Sequence, residues 1–123
     1  MKMIPNKTKK ITASFMCTER YDIVLKKIHS ICEEHYTQSN IYCEFDAVPS
    51  YKMFKIEDGC HEGGVISVSL SSVADPEKYV TPHKIDEYIN ECTNVILAIA
   101  KEYKQSIVNI DITSTLALKY VCK

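Results

Sequence analysis

Along nearly the whole chain, apolar positions either alternate with polar ones or recur at helical steps, and the switches between the two periods mark out its elements. In the run Ile11 to Cys17, Ile11, Ala13, Phe15 and Cys17 alternate with Thr12, Ser14 and Met16, the period of two that belongs to a strand. Thr18 is then placed to cap a helix whose first turn holds Glu19 and Asp22. Tyr21, Leu25, Ile28, Ile31, Cys32 and His35 make its single apolar stripe, which ends near Tyr36. Ile41, Cys43 and Phe45 alternate with Tyr42, Glu44 and Asp46, giving a second strand that Pro49 and Ser50 interrupt, and a third short strand runs from Tyr51 to Ile56. All three glycines fall between Gly59 and Gly64, in a turn whose positive-φ demand explains them without any function. Val65 to Ser71 is the clearest strand, with Ile66, Val68 and Leu70 on one side and Ser67, Ser69 and Ser71 on the other.

Thr81 before Pro82 is a helix start, the hydroxyl as cap and the proline at the first helical position. Ile85, Ile89, Cys92, Val95, Ile96, Ile99 and Tyr103 hold the stripe to about Lys104, a helix of roughly 34 Å at 1.5 Å per residue. Val108, Ile110 and Ile112 open a last strand, and Leu116, Leu118 and Tyr120 continue it after a slip at Ser114-Thr115.

The order reads as two βαβ units in tandem. Right-handed crossovers place both helices on one face of a mixed sheet, an α/β (α+β) sandwich of tautomerase-like or ferredoxin-like type. Residues 10–123 form that single domain and residues 1–9, with Lys7 and Lys9, a basic N-terminal extension. The second sheet face collects Thr12, Ser14, Tyr42, Glu44, Ser67, Ser69, Asn109, Asp111 and Thr113. A solvent-facing sheet normally carries more long charged side chains, so this face is expected to meet another subunit or to line a wet interior.

Composition narrows the function classes. The chain has 123 residues, and its 46% hydrophobic and 25% charged fractions are those of one globular domain. Fifteen Lys plus Arg against sixteen Asp plus Glu leave a net charge of -1, so neither nucleic acid nor an anionic membrane is an expected partner. No window approaches the roughly 18 apolar residues of a membrane span. The six cysteines make no Cys-x-x-Cys pair and no zinc-ligand cluster. Reduced thiols in a cytoplasm, no metal and no cofactor are therefore expected. Cys60, His61 and Glu62 read as a polar hairpin tip, and His29 and His35, six positions apart, do not share a helix face as metal ligands do.

The segment Asp46-Ala47-Val48-Pro49-Ser50-Tyr51-Lys52-Met53-Phe54-Lys55-Ile56-Glu57-Asp58-Gly59-Cys60-His61-Glu62 leads directly into a strand. With the long second helix and the last strand, it resembles the 5-carboxymethyl-2-hydroxymuconate isomerase family of the tautomerase superfamily. The resemblance implies a homotrimer and a keto–enol isomerase working from an N-terminal proline amine. Here the chain opens Met1-Lys2, and Pro5 is internal, so its nitrogen is an amide and no base. Lys10, at the expected start of the first strand, is the candidate replacement base. Tyr42 and Glu44 stand where the family holds its substrate with arginine and are the candidate ligand-binding residues, although neither is a cation.

The main reading is a homo-oligomer, a trimer by resemblance, that has lost proline-based isomerisation and binds a small-molecule acid or a protein partner. The alternatives are an active isomerase with a non-proline base, and a free-standing ferredoxin-like interaction domain of the inhibitor or immunity type.

Overall fold

In the computed structural model of the chain, which describes residues 2–55, 62–76, 78 and 82–121, the alternating segments become strands and the two stripes become helices. The order is β1 (Lys2–Cys17), α1 (Tyr21–Ser39), β2 (Asp46–Lys55), β3 (Glu62–Ala74), α2 (Pro82–Glu102) and β4 (Ile110–Val121). The sheet runs β2-β3-β1-β4, and every neighbouring pair is antiparallel. β1 and β2, joined through α1, have β3 between them, and β3 and β4, joined through α2, have β1 between them. This split βαβ arrangement with both helices on one face is the ferredoxin-like α+β fold. It also explains why the sheet is antiparallel throughout rather than mixed.

The core lies between the sheet and the helices. Phe15 sits opposite Val68 and Ala13 opposite Leu70, and none of the four is more than 4% exposed. Val24, Ile28 and Cys32 of α1 and Cys92, Val95, Ile96 and Ile99 of α2 close over them. The α1 stripe is therefore rotated from the expected one: Val24 is buried where Leu25 was expected, and Leu25 is 37% exposed. The cap moves with it. Arg20, extended at φ -63° and ψ 149°, is the N-cap in place of Thr18, and its carbonyl accepts from the Ile23 and Val24 N–H groups at 3.1 Å. At the other end Asn40 takes a left-handed φ of 62° and donates its N–H to the Tyr36 carbonyl at 2.8 Å, an αL cap.

Three strand boundaries differ from the alternation. β1 starts at Lys2, not Ile11, and Lys2 to Lys10 ladder against Val121 to Thr113. β4 runs to Val121 with no slip at Ser114-Thr115. The segment 41–45 alternates but is not a strand, and β2 instead passes straight through Pro49, opposite Val68. Proline is tolerated there because β2 is an edge strand. Local bonds explain 41–45: the Ile41 N–H goes to Ser39 Oγ at 3.1 Å and the Glu44 N–H to the Tyr88 hydroxyl at 3.1 Å, so neither is free for a ladder. Cys60 and His61, and the Thr81 cap, lie outside the described residues.

The strands are longer than the layer the helices cover. β3 pairs with β1 only from Lys9 onward, so Lys2–Thr8 and Thr115–Val121 form a two-stranded ribbon at one end. Lys52–Lys55 and Glu62–Val65 form another at the opposite end.

Candidate ligand cleft on the open sheet face

The face away from the helices is the polar one, as the alternation requires. Thr12 pairs with Ser71 and Asp111, and Ser14 with Ser69, whose hydroxyls meet at 3.0 Å. Thr8 and Thr115 hydroxyls meet at 2.6 Å on the same face. Near the end of β1 this surface becomes a cleft because the chain leaving α2 folds back over it. Lys104 makes the reversal at a left-handed φ of 53°. Gln105 then pins it, its N–H bonding the Ala100 carbonyl at 2.9 Å and its side-chain Nε2 donating to the Met16 and Tyr103 carbonyls at 3.1 Å each.

The resulting cleft of about 360 Å³ is lined by Thr12, Ser14, Ser67, Gln105, Asn109 and Asp111, with Met16 and Ile107 supplying apolar wall. Ser67 is 3% exposed although it lies on this open face. Asp111 is the only charged residue lining the cleft among those described. Hydroxyls, two amides and one carboxylate suit a neutral or cationic ligand rich in hydrogen-bonding groups. Among the described residues no histidine, cysteine or lysine lines it, and the Asp111 carboxylate, on the residue paired with Thr12, is the one titratable group beside the hydroxyls.

The polar residues of β1, β3 and β4 expected on this face are there, but Tyr42 and Glu44 are not. Both precede β2 and lie on the helix side, where they do not share a pocket. The Tyr42 ring packs edge-on against Tyr36 with centroids 5.7 Å apart, and its hydroxyl reaches His29 Nδ1 at 3.5 Å. Glu44 accepts from Lys78 Nζ at 3.1 Å at the mouth of a second cleft of about 280 Å³, shared with Asp46, Asp75, Ser72 and Tyr88. Lys10 is exposed in the middle of β1, between Val73 and Thr113, and does not line the cleft.

Behind the second cleft lies a buried polar cluster that the alternation does not announce. The Tyr88 hydroxyl is 2.6 Å from Ser72 Oγ and accepts the Glu44 N–H. Cys92 is fully buried beside Cys43, Ser72 and Tyr88, and their polar groups, that of Cys43 first, hold its thiol pKa below the usual range. The neighbouring Cys92 sulfur, with burial, pushes Cys43 up. Burial pushes Tyr88 up as well and raises Cys32 to about 11. Among the described residues no group of His, Cys, Asp and Glu has the arrangement of a metal site, and no helix is long and apolar enough to cross a membrane.

No protein-family model and no curated protein matches the chain. Solved structures do. A phage SAM lyase in its apo state superposes with a TM-score of 0.56 at 10% identity, covering 95% of this chain and 90% of that one. A phage SAM lyase in complex with S-methyl-5'-thioadenosine gives 0.55 at 12% identity, covering 94% and 90%. CutA from Synechococcus elongatus, complexed with Bis-Tris, gives 0.49 at 4% identity, covering 98% and 90%. These matches correct the isomerase resemblance: the structures that superpose on this chain at TM-scores of 0.56 and 0.55 are phage SAM lyase structures and not tautomerases. The physical reason is that Lys10 lies inside β1, Lys2–Cys17, and not at the start of a strand. The chain thus has the ferredoxin-like fold of the phage SAM lyase structures, at an identity that establishes the fold alone.

Proposed function

We propose that this protein is a ferredoxin-like interaction module that works by binding, taking a small polar ligand in the cleft on its open sheet face and associating with copies of itself. The observation that carries the ligand is the cleft itself. Buried Ser67, the pinned Gln105 and the lone Asp111 carboxylate converge on about 360 Å³ with no cation among the described residues of one copy to receive an acid. A small-molecule acid is accordingly the wrong ligand, and a neutral or positively charged one the right one.

SAM, whose sulfonium is cationic, and S-methyl-5'-thioadenosine are the first compounds to test, because the fold is shared with a phage SAM lyase, one structure of which is a complex with S-methyl-5'-thioadenosine. Either is expected to raise Tm in the wild type. Asp111→Asn is expected to weaken the cationic one roughly tenfold, about 1.4 kcal/mol, and to spare the neutral one. Chromatography of the same mixtures distinguishes binding from turnover, since conversion of SAM to S-methyl-5'-thioadenosine makes the cleft an active site. If neither compound moves Tm, or both move it equally in wild type and Asp111→Asn, the cleft reading fails. Self-association is supported by two uncovered sheet edges and by ribbons that project beyond the helices. The threefold assembly implied by the isomerase resemblance is one outcome of a mass measurement in solution.

A further inference from the structure

Among the described residues β4 ends the sheet, with no further strand beside its 12 residues. Such edges are normally blunted by proline, by a bulge or by a cover, because an open ladder recruits another strand. The opposite edge, β2, contains Pro49. β4 contains neither proline nor glycine, and its charged residues, Asp111 and Lys119, stand near its two ends. On its helix-facing side Ile112, Leu116 and Leu118 are 49%, 62% and 49% exposed, opposite Ile11, Lys7 and Pro5, and Leu116 borders an apolar cleft of about 400 Å³ that it shares with Ile85 of α2. Leu116 and Leu118 also belong to the two-stranded ribbon, and two strands alone are marginal in water.

We propose that a second copy of this chain adds its own β4 antiparallel along this edge, in the register that sets the two Thr115 residues opposite each other. β4 is complementary to itself in that register. Asp111 falls opposite Lys119 of the second copy, and Ile112 opposite Leu118 of the second copy. Opposed residues share a face, so the exposed apolar side chains of both copies join in one continuous row. Shifting the register by two residues in either direction keeps the faces but sets Asp111 opposite Ala117 or Val121 and loses the opposed charges. A twofold contact of this kind uses the same patch on each copy and leaves no open β4 edge.

The inference rests on the self-association proposed above and not on the ligand. Light scattering after size exclusion is expected to give an even multiple of the 14.0 kDa chain mass for the wild type. The double variant Leu116→Lys, Leu118→Lys alters residues already exposed in one copy, so it is expected to keep its circular dichroism and its Tm shift with S-methyl-5'-thioadenosine while falling to half the mass. In a Cys60→Ser, Cys122→Ser background, Thr115→Cys is expected to cross-link to a dimer on mild oxidation. A monomeric wild type, a double variant with unchanged mass, a mass of three chains, or no cross-link at position 115 each overturns the proposal. Loss of the ligand-induced Tm shift alone overturns the cleft and leaves the interface standing.

Discussion

The Tyr88 hydroxyl is where three parts of the chain meet. It lies on α2 with the residue 3% exposed, receives the Glu44 N–H from the segment before β2, and shares a 2.6 Å bond with Ser72 on β3. Removing it leaves the buried Ser72 hydroxyl and the part-buried Glu44 N–H without this partner rather than deleting one favourable contact. Tyr88→Phe is therefore expected to cost about 1–3 kcal/mol in urea unfolding, near the full desolvation penalty of the orphaned groups. Tyr88→Phe combined with Ser72→Ala should recover part of that loss, because the second change removes one orphan. Cys32 gives a pH signature at the same scale. Burial raises its thiol from the ordinary value near 9 to about 11. Its contribution to stability is fully present below pH 9, where the thiol is neutral folded and unfolded. It is lost as pH rises towards 11, because the unfolded chain gives up its proton first. Cys32→Ala should flatten that part of the alkaline stability curve, read as urea midpoints at successive pH values.

At the scale of elements, β1 holds the domain together, since it pairs with both β3 and β4 and sends Ile11, Ala13, Phe15 and Cys17 into the core at 4% exposure or less. Phe15→Ala removes the largest of these against Val68 and is expected to cost about 3–5 kcal/mol in the same unfolding measurement, transfer and cavity together. Strand β1 also shows what a sequence can and cannot reveal. Its central alternation is plain because one face is buried, and the same logic exposes the polar face that forms the cleft. Its first half is invisible, because Lys2-Met3-Ile4-Pro5-Asn6-Lys7-Thr8 carries no alternation of apolar and polar residues and includes a proline. The converse error occurred at 41–45, where Cys43 is buried between polar neighbours but the backbone bonds are spent on Ser39 and Tyr88 side chains. Tyr42 and Glu44 were placed on the wrong side of the sheet for that reason. Gln105 had no local signal at all: it shapes the cleft through a bond to Met16, 89 positions away in sequence.

For the whole molecule, the covered and uncovered surfaces are unevenly distributed. Two helices cover one face, the other is polar and clefted, and the β4 edge is left with an open ladder and a row of exposed apolar side chains. A single copy pays for this in stability, because the ribbon of Lys2–Thr8 and Thr115–Val121 has no third strand to pack against. If a second copy supplies it, folding and association are one equilibrium, and Tm must depend on protein concentration. A hundredfold increase in concentration adds about 2.7 kcal/mol to the assembled state. Spread over the unfolding entropy of two chains, that is a rise of roughly 5 °C in Tm. The wild type should show this rise in scanning fluorimetry, and Leu116→Lys, Leu118→Lys should melt at one temperature at every concentration. Salt adds a second reading. Opposed charges at both ends of the paired strands should make the wild-type Tm fall between low and high ionic strength at fixed concentration, because exposed pairs are screened within about 10 Å at 0.1 M. Asp111→Asn should remove that salt dependence while leaving the concentration dependence, since the ladder and the apolar row remain. A Tm independent of concentration in the wild type would mean that the uncovered edge is stable by itself.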